Sequence, residues 1–221
     1  MDPRHTWASY DGPTMTADLL LASQNPGKLN EMRQLVKDLP LHVVGPRELG
    51  IAEAPEETGT TFIENATIKA LYYAGRSGLL TVADDSGISV DALGGKPGLH
   101  SSRFGGEGAS DADRNRLLLE KLQGVPREGR GAHFTSAVVV ARGETVLFQA
   151  QEQVHGFIAE EVRGPNGFGY DPLFFFPEFD RTFGEVPREQ KDRVSHRGKA
   201  FARLRAFLGD LVAEAERKPA P

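Results

Sequence analysis

The chain of 221 residues contains no cysteine. Disulfides, thiolate metal sites and cysteine nucleophiles are therefore excluded together, and the composition fits a reducing cytoplasm. It also lacks an excess of positive charge: 26 Lys and Arg stand against 31 Asp and Glu, a net charge of −5. Nothing global draws a nucleic acid, so any polyanion must be held by locally gathered cations and is expected to be small. No run approaches the roughly twenty apolar residues of a membrane span, and the N-terminus has no signal-peptide core. A soluble protein with no membrane partner is expected. No repeat and no low-complexity linker interrupts the chain. With 39% hydrophobic residues it can build one substantial core, or two lobes sharing a sheet. Residues 1–16, polar and ending beside Met15, read as an N-terminal extension. Residues 17–213 read as a single domain, and 214–221 as a frayed C-terminal tail.

What is present centres on Ile68 to Asp91. A helix-like run there precedes the apolar, β-branched stretch Leu79 to Ala83, and then comes Asp84-Asp85-Ser86-Gly87. The spacing predicts a strand that ends at a turn and delivers two carboxylates to a rim. Adjacent acids are costly unless a metal, lysine or arginine neutralises them, and hard oxygen ligands suit Mg²⁺, which usually keeps waters and binds substrate phosphate. The same four residues also read as an ordinary Asp-Ser-Gly turn closed by its own side chains.

Three further segments add chemistry. Leu19 to Ala22 reads as a strand, Ser23-Gln24-Asn25-Pro26-Gly27-Lys28 as a loop, and Leu29 onward as a helix with Met32, Leu35, Val36 and Leu39 on one face. Strand, glycine loop, lysine and helix start form a phosphate-cradling layout, in which exposed N–H groups and the helix dipole attract an anion. It is not a Walker A loop, because Ala22 stands where the first glycine belongs and Leu29 replaces the Mg²⁺-binding hydroxyl. Far along the chain, Gly167-Phe168-Gly169-Tyr170-Asp171-Pro172 holds aromatics between glycines, an arrangement that lets a nucleobase stack while backbone groups read its edge. Two glycines and a proline make that segment a poor core strand, whereas Phe174 to Phe176 reads as one. Finally, Lys191 to Lys199 gathers basic residues ahead of Phe201, Leu204, Phe207, Leu208, Leu211 and Val212 at helical spacing. Ser195 is the expected N-cap. Positive side chains at His196 and Arg197 would then oppose the dipole, a cost that suggests an anion nearby.

Between these motifs, strands and helices alternate at first. A helix is predicted from Thr61 to about Gly75, with Thr61 and Glu64 as a capping box and Phe62, Ala66, Ala70 and Ala74 on its packed face. Another opens at Ser110 and Asp113 and carries Leu117, Leu118 and Leu122. Then Ala132 to Ala141 and Thr145 to Val154, separated by Arg142-Gly143-Glu144, predict a long hairpin. Parallel-style units plus an antiparallel hairpin predict an α/β fold with a mixed sheet and flanking helices.

Six ordered motifs resemble one family, the Ham1-like inosine triphosphate pyrophosphatases, bacterial XTP/dITP diphosphatases. They are Ser23 to Lys28, Glu56 to Ala66, Ala83 to Gly87, Ala92 to Gly98, Phe168 to Pro172 and Ser195 to Arg197, and the likeness runs from about Asp18 to Val212. The chain departs at Ser23-Gln24, where the family more often carries Thr-Gly or Thr-His. The resemblance implies an elongated mixed sheet, two lobes around a central nucleotide cleft, and a homodimer. It implies Mg²⁺-dependent hydrolysis between the α and β phosphates of a non-canonical purine nucleoside triphosphate, giving the monophosphate and pyrophosphate. By the same resemblance Glu56 and Asp85 match metal-associated acids, and Asp85 the proton acceptor. Ser23, Gln24, Asn25, Pro26, Gly27, Lys28, Ser86, Lys191, His196 and Arg197 match substrate contacts, and Phe168, Gly169, Tyr170 and Asp171 the base-binding segment. Asp84 and Glu57 rank behind as supporting acids, and Lys69 as a weaker phosphate contact.

Gathering three phosphates and presenting one water makes positioning and electrostatics the main task. Selectivity would rest on the base edge: hypoxanthine and xanthine carry an acceptor where adenine carries an amino donor, so donors from backbone, His196 or Arg197 would reject ATP. Rival readings are a serine hydrolase on Ser86 or Ser195, a nucleotide-binding module without turnover, and a pyrophosphatase of the Maf type. The first fails the nucleophile-elbow pattern, since Asp84 takes its first glycine's place.

Overall fold

Leu19, Leu20 and Leu21 are each at most 1% exposed because their strand, β1 (Ala17–Leu21), is paired on both sides. It lies parallel to β2 (Leu41–Val44), with Leu19 opposite Val43, and parallel to β3 (Leu80–Val90), with Leu19 opposite Leu80. Consecutive apolar residues without polar alternation are the signature of such a doubly covered strand. The computed structural model describes residues 16–106 and 108–217, so expectations for 1–15 and 218–221 lie outside the described residues.

The predicted hairpin is formed by β4 (Gly131–Arg142) and β5 (Thr145–Ile158), joined through Gly143 at φ +55° and Glu144. A short β6 (Phe174–Phe176) runs antiparallel to β5, and β7 (Arg181–Thr182) antiparallel to β6. Seven strands thus make one sheet in the order β2-β1-β3-β4-β5-β6-β7. The mixed parallel and antiparallel pairing expected from the element pattern is present.

By contact density the chain divides into two units. The first takes the described residues up to Asp85, Ala137–Ala150 and those from Phe201; the second takes Ser86–Ser136 and Gln151–Ala200. In the first, α1 (Pro26–Leu35) and α2 (Phe62–Ser77) flank the sheet. Ala66, Ala70, Tyr73 and Ala74 of α2 pack on Leu20, Ala83, Ala137 and Val139, a face of small side chains that lets helix and sheet approach closely. The capping box at its start is as predicted: the Glu64 amide donates to Thr61 Oγ1 at 3.2 Å, and the Thr61 amide to Glu64 Oε2 at 3.1 Å. In the second unit, α3 (Asp111–Lys121) is capped by Ser110 and buries Leu118, with Leu122 buried just after its end. They pack with Phe134, Phe174 and Phe183, whose rings lie 4.7 Å (134–174) and 4.9 Å (174–183) apart. A short helix α4 (Arg188–Asp192) leads to α5 (His196–Arg217). Along α5, Leu204, Leu208 and Val212 form the buried stripe within the first unit, and Phe207 stacks on Phe148 at 4.8 Å. Glu214 to Arg217 continue this helix where a frayed tail was expected.

One expectation is corrected. Asp84 to Gly87 do not form a turn: β3 passes straight through them to Val90. Ile88 and Val90, both 0% exposed, supply a second apolar stretch that keeps the chain extended despite the local turn propensity of Asp, Ser and Gly.

Candidate active site

A strand sends successive side chains to opposite faces, so Asp84 and Asp85 diverge as soon as the turn is replaced by β3. Asp85 shares the face of Ala83, which α2 covers. Each carboxylate meets its own lysine. Lys28, in the first turn of α1, donates to both oxygens of Asp84 at 2.9 and 2.8 Å, and Asp84 is 3% exposed. Lys69, on α2, donates to Asp85 at 3.0 Å and reaches Glu57 at 3.1 Å. The first unit therefore gathers three carboxylates, Asp84, Asp85 and Glu57, around two ammonium groups.

Burial raises the Asp85 carboxyl above the usual aspartate range; Lys69 opposes the rise, Glu57 adds to it and Lys28 opposes it. Burial pulls the Lys69 ammonium down, but Asp85, Asp84 and Glu57 together more than reverse this and raise it. Both partners move upward because burial dominates for the acid and the surrounding acids dominate for the amine. A partly desolvated carboxylate of raised pKa is a better proton acceptor than an ordinary surface aspartate.

The expected phosphate loop is engaged within the protein. Asn25 caps α1, its Oδ1 accepting from the Gly27 amide at 2.8 Å and the Lys28 amide at 3.4 Å, with Pro26 at the first helical position. Ser23 Oγ accepts from the Asn25 amide at 3.2 Å. Gln24 is fixed at both ends of its amide, donating to the Ala52 carbonyl and accepting from Arg47. Glu56 is exposed, and its backbone carbonyl accepts from the Thr58 amide at 3.2 Å. Glu57, ranked behind it from sequence, is the one that shares Lys69 with Asp85.

The donor set fits Mg²⁺: hard carboxylate oxygens, one more acid than base in the cluster, and partial exposure of Asp85 (16%) and Glu57 (29%). Among the described residues no three or more Asp, Glu or His are grouped so as to hold a metal.

In the second unit, Arg197 donates to Ser86 Oγ at 3.2 Å and lies 5.2 Å from the centre of the Phe168 ring. Lys191 Nζ lies 4.6 Å from the same ring and bonds Asp171 Oδ2 at 2.5 Å. That oxygen also accepts from the Phe168 amide at 2.8 Å. Two cations thus flank the Phe168 ring, Arg197 tied to Ser86 and Lys191 tied to Asp171. Phe168 is 54% exposed, an unusual place for a phenyl group with two cations beside it.

Ser195 caps α5 as expected, accepting from the Gly198 amide at 3.1 Å. His196 stacks on Phe134 at 4.6 Å, 7% exposed, and its Nδ1 is buried without a partner. Burial, then Arg197 and Lys191, push its pKa well below the ordinary histidine value, so the ring is neutral and opposes no dipole. Tyr170 takes a different place from Phe168. Only 4% exposed, it donates its hydroxyl to the Ser101 carbonyl at 2.8 Å, and burial raises its pKa. Its ring belongs to the core, and Phe168 alone of the pair offers a face.

Sequence reasoning missed two residues here. Asp111 accepts from the Gly169 amide at 2.7 Å, and Asn115 donates to the Gly169 carbonyl at 3.0 Å. Their i, i+4 spacing on α3 was the available signal.

The Ham1 family profile matches residues 19–207. A dITP/XTP pyrophosphatase of Yersinia pseudotuberculosis is 46% identical over 196 residues, covering 87% of this chain and 98% of that protein. One of Methylococcus capsulatus is 47% identical over 201 residues, covering 88% and 100%. A solved HAM1 protein from Coxiella burnetii matches with a TM-score of 0.82 at 40% identity, covering 88% of this chain and all of that one. This chain belongs to the Ham1 family.

Proposed function

We propose that this protein hydrolyses non-canonical purine nucleoside triphosphates, ITP, dITP, XTP and dXTP, to the monophosphate and pyrophosphate, clearing deaminated purines before they enter DNA or RNA. The observation that carries the reading is the cluster in which Lys28 holds Asp84 while Lys69 joins Asp85 to Glu57. Acids and ammonium groups in alternation suit a substrate that brings several negative charges and needs one water activated.

In this reading Asp85 accepts the proton of the attacking water, which its raised pKa favours. Lys69 keeps that carboxylate oriented, and Lys28 exchanges part of its contact with Asp84 for phosphate oxygen. Asp85 with Glu56, the acids matched by resemblance, or with Glu57, which the contacts favour, would hold Mg²⁺. When bound, the ion offsets phosphate charge and lowers the pKa of a coordinated water. Ser86 and Arg197 steady the substrate, Phe168 stacks the base, and the neutral His196 with the Asp171–Lys191 pair reads its edge. Homologues named dITP/XTP pyrophosphatase support the same chemistry. A homodimer acting in the cytoplasm completes the proposal; among the described residues no helix is long and apolar enough to cross a membrane.

The test is product analysis with ITP, dITP, XTP, ATP and GTP, each with Mg²⁺ and with EDTA. Monophosphate and pyrophosphate from the first three, and little from ATP or GTP, are expected. Comparable rates on all five, or orthophosphate as the product, would refute it.

A further inference from the structure

Both backbone polar groups of Gly169 are held by side chains of one helix face. The amide donates to Asp111 Oδ2 at 2.7 Å and the carbonyl accepts from Asn115 Nδ2 at 3.0 Å. Gly169 sits at φ +60°, a left-handed conformation that side-chain-bearing residues resist, so the turn is built to present its backbone to α3. The preceding amide, that of Phe168, is taken by Asp171 at 2.8 Å. Three consecutive anchors therefore fix the backbone under a ring that is itself 54% exposed.

More than half of Phe168 is open to solvent, so packing covers the ring only in part. On the α3 side it borders an open groove of about 490 Å³, lined among others by Ala112, Leu119, Val162 and Pro172. The cations Lys191 and Arg197 lie 4.6 and 5.2 Å from its centre. The backbone that carries the phenyl group is held by the three anchors.

Asn115 carries a second indication. It is 4% exposed and its Oδ1 is buried without a partner. An unpaired buried oxygen is a standing cost that an apolar residue would not incur. The amide orientation is fixed because its flipped form would set Oδ1 against the Gly169 carbonyl. Asp111 is held in turn by Arg114, and although burial raises its carboxyl, that contact and the Gly169 amide keep it below the usual range and ionised.

We propose that Asp111 and Asn115 are positioning residues for base recognition: by clamping Gly169 from both sides they aim Phe168 and so set purine affinity and selectivity. The proposal rests on the function proposed above, and its test separates the two. Asp111→Ala and Asn115→Ala are compared with Asp111→Asn, which keeps an acceptor for the Gly169 amide. Lys121→Ala, an exposed change on the same helix, serves as control. Kinetics with ITP, GTP and ATP are joined by calorimetric binding of inosine monophosphate, which needs no turnover, and by hydrogen exchange at the Gly169 amide.

Each alanine variant should raise KM for ITP and Kd for the monophosphate about fivefold, the loss of one backbone hydrogen bond, with kcat within about twofold. Preference for ITP over GTP should narrow, Gly169 should exchange faster in Asp111→Ala, and Asp111→Asn should recover most of the affinity. Faster Gly169 exchange with parental Kd and selectivity would overturn the positioning role while leaving the hydrolytic function standing. So would a parallel fall of kcat and stability with unchanged selectivity. If the parent binds inosine monophosphate but hydrolyses nothing, the proposed reaction fails and the Kd values still decide the clamp. If it neither binds nor hydrolyses, both fall.

Discussion

Lys69 is the residue on which the charge balance of the acid cluster turns, and Lys69→Met isolates its charge from its aliphatic stem. In the parent its ammonium lies 3.0 Å from Asp85 and 3.1 Å from Glu57, with Lys69 only 13% exposed. At an effective dielectric near 20, one such contact is worth roughly 5 kcal/mol before desolvation. The loss in the variant is capped, because Asp85 can escape by binding a proton. Protonating an ordinary aspartate at pH 7 costs about 4 kcal/mol, from its reference pKa of about 3.9. The Asp85 carboxyl is already raised in the parent, so part of that range is used before the substitution. We expect a destabilisation of about 2–3 kcal/mol at pH 8.

The pH dependence identifies the cause. In Lys69→Met the Asp85 pKa rises further above its unfolded value. Its contribution is then complete below the unfolded pKa and is lost as pH rises through the folded one. The gap between parent and variant should therefore be smallest near pH 4.5 and largest at pH 8. Urea unfolding at pH 4.5, 6 and 8 measures it, with Lys69→Arg expected to stay close to the parent. A ¹³C titration of the Asp85 carboxyl should report an upward midpoint. A destabilisation equal at all three pH values would show that packing, not charge, holds this corner together. The account of Asp85 as a tuned proton acceptor would then be wrong.

His196 has a depressed folded pKa, so its contribution is present above about pH 6.5 and is lost as pH falls toward the folded value. Stability should drop by up to about 1.4 kcal/mol per pH unit below pH 6.5, and His196→Phe should flatten that slope in unfolding curves taken from pH 7.5 to 5. Tyr170→Phe leaves the Ser101 carbonyl without its donor and should cost about 1–2 kcal/mol with unchanged affinity for inosine monophosphate. Weaker binding with intact stability would instead assign the hydroxyl to the substrate. A Cβ on Gly198 would lie 1.7 Å from the Asp192 carbonyl oxygen, so Gly198→Ala must push the start of α5 away. About 3 kcal/mol and a fall of about 10 °C in Tm are expected, read by calorimetry.

The parts of this molecule that were legible in its sequence are those whose causes lie within one turn or one strand. Thr61 with Glu64, and Ser195 before a helical apolar stripe, announce helix starts because the capping atoms are three residues away. The hairpin is announced by Gly143 between two apolar runs. Asp84-Asp85-Ser86-Gly87 misled because the residues that extend it are not local. The parallel partner strand holds the preceding residues extended, and lysines 56 and 16 residues away supply the neutralisation that lets two aspartates stay in a buried strand. Phe168 and Tyr170 make the same point. Adjacent to the same glycine and equally aromatic, they read alike in the sequence. Yet a carbonyl 69 residues from Tyr170 draws it into the core, while cations at 191 and 197 leave Phe168 outside. Family likeness assigns both residues to one segment but says nothing about which ring is exposed. That division is decided by which hydrogen bonds the fold can satisfy. A tyrosine hydroxyl buried without the Ser101 carbonyl would cost about as much as its burial gains, so the assignment of roles follows from tertiary pairing and not from residue type.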